Sequence, residues 1–170
     1  MVGPSLPYRI GVLCYLYDDA GRVLLLRRAR HPNRHLYSPV GGKLDVEQGE
    51  SPTGCALREI EEETGLRLAT GDLRLAGIIS ETAFEGEAHW LMFLFEANGP
   101  VQVETGTIDE GTLDWHDPAT INDLDIPETD RVVLWPLMRR FTHCFFAAHI
   151  DCSGQAMQWR LEQPSDEAGE

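Results

Sequence analysis

Long apolar runs are missing from this chain. None of its 170 residues falls in a stretch approaching the ~20 consecutive apolar residues that a spanning helix needs, so no membrane role is expected. The first ten residues hold no basic segment followed by an apolar one, and no secretory leader is expected. Positive charge is scarce as well: 14 Lys and Arg stand against 28 Asp and Glu, a formal net charge of −14. So acidic a surface does not suit sequence-independent binding to duplex phosphates, and no duplex nucleic acid is expected as a partner. The same surface repels a free anionic substrate. A phosphate compound would need the local sign reversed, and bound divalent cations are the usual device. Cysteines are few: Cys14, Cys55, Cys144 and Cys152, with no C-x-x-C spacing for a zinc or redox site. Without an export signal the expectation is reduced thiols in a cytoplasmic protein. Internal repeats and low-complexity segments are also absent. What remains is 42% hydrophobic and 25% charged, an ordinary globular composition of one-domain length.

Residues 8–18 are rich in aromatic and aliphatic side chains, Asp18 to Gly21 supply a turn, and Arg22 to Arg27 follow as a second strand, so the chain is predicted to open as a β-hairpin. Residues 29–36 read as a loop around Pro32. Tyr37 to Leu44, with Pro39, Gly41 and Gly42, reads as a tight, unusual backbone, and Asp45 to Glu50 as an acidic loop. A helix is predicted over 52–64: Ser51 suits the N-cap, Pro52 the first turn and Gly65 the C-terminal stop. Strands are predicted over 73–81, 89–96, 101–104 and 112–116. A helix is predicted over 128–141, kinked or ended by Pro136. Residues 142–151 and 155–162 read as a final hairpin that could serve a dimer edge, so the chain is expected to be a monomer or homodimer. Residues 164–170 read as a frayed acidic tail. The pattern implies an α/β or α+β fold, with helices packed on a mixed sheet.

The chemistry concentrates between Gly41 and Leu66. At about 100° per residue, Glu59, Glu62 and Glu63 share one face of the predicted helix, while Ala56, Leu57 and Ile60 form its apolar stripe. Like charges at these spacings repel, and either solvent or a bound dication must offset them. Carboxylates are hard oxygen ligands suited to Mg²⁺ or Mn²⁺. Arg58, next to Glu59, can hold a carboxylate through a forked contact. Cys55 reads as a small packing residue, and the six histidines form no spaced metal pair.

Residues 58–66, Arg-Glu-Ile-Glu-Glu-Glu-Thr-Gly-Leu, resemble the second half of the Nudix box, R-E-U-x-E-E-x-G-U, without a mismatch. Seven residues separate Glu50 from Arg58, as in the box. Gly42 matches the opening glycine, but seven residues rather than five separate it from Glu50, so 43–49 resemble the box with a two-residue insertion. The resemblance implies an α/β/α sandwich spanning 1–170, with a loop–helix–loop motif over about 42–66. It implies divalent-metal-dependent hydrolysis of a nucleoside diphosphate linked to another moiety, X. By the same resemblance Glu59, Glu62, Glu63 and the Gly42 carbonyl would ligate the metal, Glu59 would also deprotonate the attacking water, Arg58 would orient the carboxylates and Glu50 would brace the loop. Lys43 and Arg28 stand where relatives contact substrate phosphates.

Residues 110–115, Glu-Gly-Thr-Leu-Asp-Trp, resemble the E-G-x-L-x-W segment of MutT-like members and nominate Glu110 as a further metal ligand or water-activating group. Glu85 and Glu87 are weaker candidates. Asp130 stands where such members carry a base-recognising polar residue, and Tyr37 and Trp90 are candidates to stack on a base. The expected substrate is a nucleoside triphosphate, including oxidised purines such as 8-oxo-dGTP, cleaved to monophosphate and pyrophosphate. ADP-ribose, a nucleotide sugar or a dinucleoside polyphosphate is the alternative; a non-catalytic ligand-binding or interaction module is the second.

Overall fold

In the computed structural model, which describes residues 5–164, the strands fall into two sheets. The larger is mixed and is ordered β10-β9-β5-β6-β1-β4: Gln158–Gln163, Phe146–Asp151, Leu73–Phe84, Ala88–Ala97, Tyr8–Tyr15 and Val40–Lys43. Within it β1 runs parallel to β6 and β5 parallel to β9; the other pairs are antiparallel. The smaller is antiparallel, ordered β3-β2-β8-β7: Tyr37–Ser38, Val23–Arg28, Gly111–His116 and Gly106–Ile108. Two α-helices join them, α1 (Pro52–Thr64) and α2 (Trp135–Arg140).

Period-two alternation splits the apolar residues into two cores. On β1 and β2, Tyr15, Val23 and Leu25 join Trp135, Leu137 and Met138 of α2 on one side. Cys14, Leu16, Leu24 and Leu26 join Cys55, Ala56 and Ile60 of α1 on the other. The sheets therefore lie between the two helices, with a core on each side.

Helix α1 begins and ends where predicted. The Ser51 hydroxyl accepts from the Gly54 N–H at 3.0 Å, and Gly65, at φ 73°, takes the left-handed cap that returns its N–H to the Glu61 carbonyl. The second helix is less regular. Asp130–Leu134 form a π turn, in which the Trp135 N–H bonds to the Asp130 carbonyl, and α2 continues from there. Pro136 explains the widening: it has no N–H to give the preceding turn, and its ring crowds the carbonyl four residues back.

Four expectations need correction. The opening turn forms, with the Gly21 N–H bonded to the Asp18 carbonyl, but β1 and β2 part into different sheets after one bridge between Tyr17 and Val23. Residues 37–44 are not irregular: they are two short strands, β3 and β4, broken at Pro39. Residues 101–104 are not a strand. Val101 is buried and spends its N–H on the Tyr17 carbonyl, so the pairing with β8 starts only at Gly106. The final hairpin begins at Phe146 rather than at 142. All but the first residue of the expected acidic tail lie outside the described residues.

Candidate active site

Strand β4 is held so closely between β1 and α1 that two glycines are required. A Cβ on Gly41 would lie 2.1 Å from the Val12 carbonyl oxygen, and one on Gly42 would lie 2.2 Å from Glu59 Oε1. The absence of side chains there lets the Glu59 carboxylate rest against the strand backbone.

Arg58 ties this corner together. Its Nε and Nη2 grip the two oxygens of Glu50 at 2.8 and 2.9 Å. Its Nη1 reaches Glu59 Oε1 at 2.8 Å and Glu62 Oε2 at 3.2 Å, and Nη2 also donates to the Lys43 carbonyl. Bonded by Arg58 and by the Asp45 N–H, Glu50 has its carboxyl held down to about 2. Burial pushes the Glu59 carboxyl up, with Arg58 opposing.

The three helix carboxylates do not share one environment. Glu62 is exposed, whereas Glu63 is buried with Oε2 lacking any hydrogen-bond partner. Burial and the neighbouring Glu59 push the Glu63 carboxyl up to about 8, against the pull of Arg28 and a hydrogen bond from Gly41. The oxygens of Glu59, Glu62 and Glu63 are not gathered within 4.8 Å of one another. Arg58 engages two of the three.

Glu110 stands in the turn between β7 and β8, 3.9 Å from Arg30, close enough to act electrostatically on Glu63. Gly111 lets this turn lie against the end of β2, since a Cβ there would collide with the Arg27 carbonyl oxygen. The Glu110 carbonyl accepts from the Ala29 N–H at 2.8 Å, pinning the turn to the end of β2.

Beside this corner lies a cavity of about 120 Å³, several times the space that one water needs. Gly41, Gly42 and Lys43 form the edge that it shares with α1. Arg28 lines it from the end of β2, its Nε donating to the Pro32 carbonyl at 2.9 Å. Trp90 and Phe84 supply aromatic walls, and Arg9 and Lys43 place their cations 5.8 and 5.9 Å from the Trp90 ring. Asp130 enters from the π turn and Glu81 from β5, both buried.

Comparison with known proteins identifies this arrangement. The pattern of the NUDIX domain matches residues 7–141. The chain belongs to the Nudix hydrolase family. This Nudix chain is 32% identical over 129 residues to the Nudix hydrolase YvcI of Bacillus subtilis, covering 74% of this chain and 77% of that one. It is 27% identical over 139 residues to an RNA pyrophosphohydrolase of Dinoroseobacter shibae, covering 72% and 85%. Its fold resembles the MutT protein of Bacillus halodurans, with a TM-score of 0.70 at 24% identity over 91% of this chain and 97% of that one.

In this Nudix box the two extra residues before Glu50 are absorbed locally. The Glu50 N–H bonds to the Asp45 carbonyl, and the Glu50 carboxylate accepts from the Asp45 N–H, closing 45–50 into a compact loop. Gly42 keeps its place against Glu59. Tyr37 does not line the cavity: it packs edge-on against His116, ring centroids 5.1 Å apart. Cys55 is buried against Arg58, its thiol pushed up to about 12. His31, left unassigned from sequence, comes within 4.8 Å of Glu85 and Glu87, all three exposed. Sequence reasoning missed Glu81, Phe84, Thr129 and Ser38 in the cavity wall. Glu81 carried a readable signal, an inward strand position in step with buried Ile79.

Proposed function

We propose that this Nudix hydrolase cleaves a nucleoside triphosphate, oxidised purine nucleotides included, to the monophosphate and pyrophosphate with Mg²⁺ or Mn²⁺. One observation carries the reading: the Gly41–Lys43 edge borders both the acidic face of α1 and the cavity, so phosphates over one place a ring in the other.

The donor set fits a hard dication. The buried Glu63 Oε2 has no partner, and the Gly42 backbone is bare against Glu59. Glu59, Glu62, Glu63, Glu110 and the Gly42 carbonyl would hold it. When bound, such a cation neutralises phosphate charge and lowers the pKa of a coordinated water. Glu59, tethered through Oε1 by Arg58, accepts the proton of the attacking water. Arg58 is a positioning residue, and Glu50 braces it. Lys43 and Arg28 lie beside the phosphate path and offset the −14 charge locally. The water oxygen bonds to a phosphorus of the α–β anhydride as the bridging P–O bond breaks, and the bridging oxygen keeps the electron pair, giving monophosphate and pyrophosphate. Positioning and charge stabilisation account for the catalysis. Asp130 and Trp90 receive the base.

The test is pyrophosphate and phosphate release, with and without Mg²⁺, from the common dNTPs, 8-oxo-dGTP, ADP-ribose, a nucleotide sugar and a diadenosine polyphosphate. Metal-dependent pyrophosphate release, strongest for one base, is the expected result. Preferential cleavage of ADP-ribose or another linked diphosphate would replace the triphosphate with a different X.

A further inference from the structure

Away from the box, the fold gathers a second set of metal-ligating side chains. His31 lies in the loop between β2 and β3, and Glu85 and Glu87 lie in the turn between β5 and β6. Each offers a ligand atom, and these atoms all lie within 4.8 Å of one another. The two segments are far apart in sequence, so only the packing of the strands brings the three donors together. Neither Glu110 nor any carboxylate of α1 belongs to the group.

Ordinary charge pairing does not account for the arrangement. Arg30 and Arg34 stand in the same loop as His31, and a guanidinium holds a carboxylate more firmly than an imidazole does. Arg30 turns instead to Glu110, at 3.9 Å, and Arg34 has no ion pair among the described residues. The side chains of His31, Glu85 and Glu87 likewise have no hydrogen bond or ion pair among the described residues. Glu85 also pushes up the buried Glu81 carboxyl, with no cation among the groups that act there. Two carboxylates this close repel, and a cation shared by all three groups relieves them.

The donor set says which cation. One imidazole nitrogen with two carboxylate oxygens suits Zn²⁺ and similar transition ions, whereas Mg²⁺ takes oxygen ligands. Zinc holds such ligands at about 2.0–2.2 Å, which sets neighbouring donors roughly 3.4 Å apart around a tetrahedron. All three side chains are exposed, so rotamer adjustments close the remaining gap, and water fills the fourth position.

We propose that His31, Glu85 and Glu87 form a second metal site, for Zn²⁺ or a similar transition-metal ion, that clips the β2–β3 loop to the β5–β6 turn. The site shares no ligand with the Mg²⁺ site of the box. Pro32 and Asn33 follow His31 and line the cavity, as does Phe84 immediately before Glu85, so the clip joins two of the cavity's walls.

The experiment titrates Zn²⁺ into the full chain by calorimetry, with Mg²⁺ in excess to engage the box carboxylates, and follows amide hydrogen exchange in parallel. The native protein is expected to take up one Zn²⁺ that excess Mg²⁺ does not displace. His31→Ala and Glu87→Gln are each expected to weaken that uptake at least tenfold while melting like the native protein without zinc. Cys144→Ser, which removes the exposed thiol, is expected to leave it unchanged. Zinc should slow exchange over 29–36 and 84–87 in the native protein and not in His31→Ala, a pattern that a general stabilisation would not give. No saturable uptake, or equal affinity in the native protein and both ligand variants, overturns the proposal. So does uptake that Cys144→Ser abolishes, or bound zinc that slows exchange in neither segment. His31→Ala keeps its Mg²⁺-dependent hydrolysis in every case, so failure of this site leaves the hydrolase reading intact.

Discussion

Gly42 and Glu59 touch: a Cβ on the glycine would stand 2.2 Å from the carboxylate oxygen. The obstructed atom ends a flexible side chain, so Gly42→Ala displaces Glu59 rather than the fold. Turnover is expected to fall about 100-fold, the scale of a misplaced catalytic group, with thermal melting little changed. Steady-state kinetics beside a melting curve checks this; a loss under threefold would show that Glu59 need not rest there.

The Arg58 fork on Glu50 leads to a second expectation. Lysine keeps the charge but cannot hold two oxygens of Glu50 and still reach Glu59. Arg58→Lys is expected to lower turnover at least tenfold, with a stability change of about 1 kcal/mol, as befits a partly exposed ion pair. Equal activity at saturating Mg²⁺ would remove Arg58 as the organiser.

Glu63 should separate activity from stability. Its folded-state carboxyl lies near 8, above the unfolded value near 4.5, so its favourable contribution is complete below pH 4.5 and lost as pH rises toward 8. Glu63→Gln, measured without metal, is therefore expected to match the native protein near pH 4 and to gain on it by more than about 1 kcal/mol at pH 9. With Mg²⁺ the order reverses: the native melting temperature rises with added metal, the variant's rises less, and turnover drops by orders of magnitude. Glu62→Gln also lowers turnover but leaves metal-free melting unchanged, since Glu62 is exposed. Glu110→Ala raises the Mg²⁺ concentration needed for half-maximal rate; an unmoved titration would exclude Glu110 from the site.

Glu81 and Asp130 set another pH dependence. Both folded values near 7 exceed the unfolded ones, so their contribution to metal-free stability falls between about pH 4 and pH 7 and flattens above. The slope is at most about 1.4 kcal/mol per pH unit for each titrating group. Glu81→Gln removes its share, and denaturant unfolding at pH 5 and pH 7.5 reads the difference. A variant with the native slope would show that Glu81 ionises normally.

The helix carrying the box was legible because local rules agree there. Ser51, Pro52 and Gly65 mark its ends, and the apolar stripe of Ala56 and Ile60 sets its inner face. The spacing of Glu59, Glu62 and Glu63 placed them on one side, but only packing against β4 distinguishes buried Glu63 from exposed Glu62. The separation of β1 from β2 was hidden because pairing between distant strands overrides a local turn, which by itself fits a hairpin. The cavity was half legible: Asp130 was marked by resemblance and Trp90 as an aromatic able to stack, whereas Glu81 and Phe84 share a wall only through a bulge whose register depends on β6.

Pro136 never approaches the cavity, yet the widened turn it imposes begins at Asp130. A regular helix in its place would hold one residue fewer in that turn and rotate everything upstream by roughly 100° about the axis. The aim of a buried carboxylate in the cavity wall is thus set by a missing N–H six residues downstream. Substrate choice in such a protein can drift through helix geometry alone, with every side chain around the ligand unchanged.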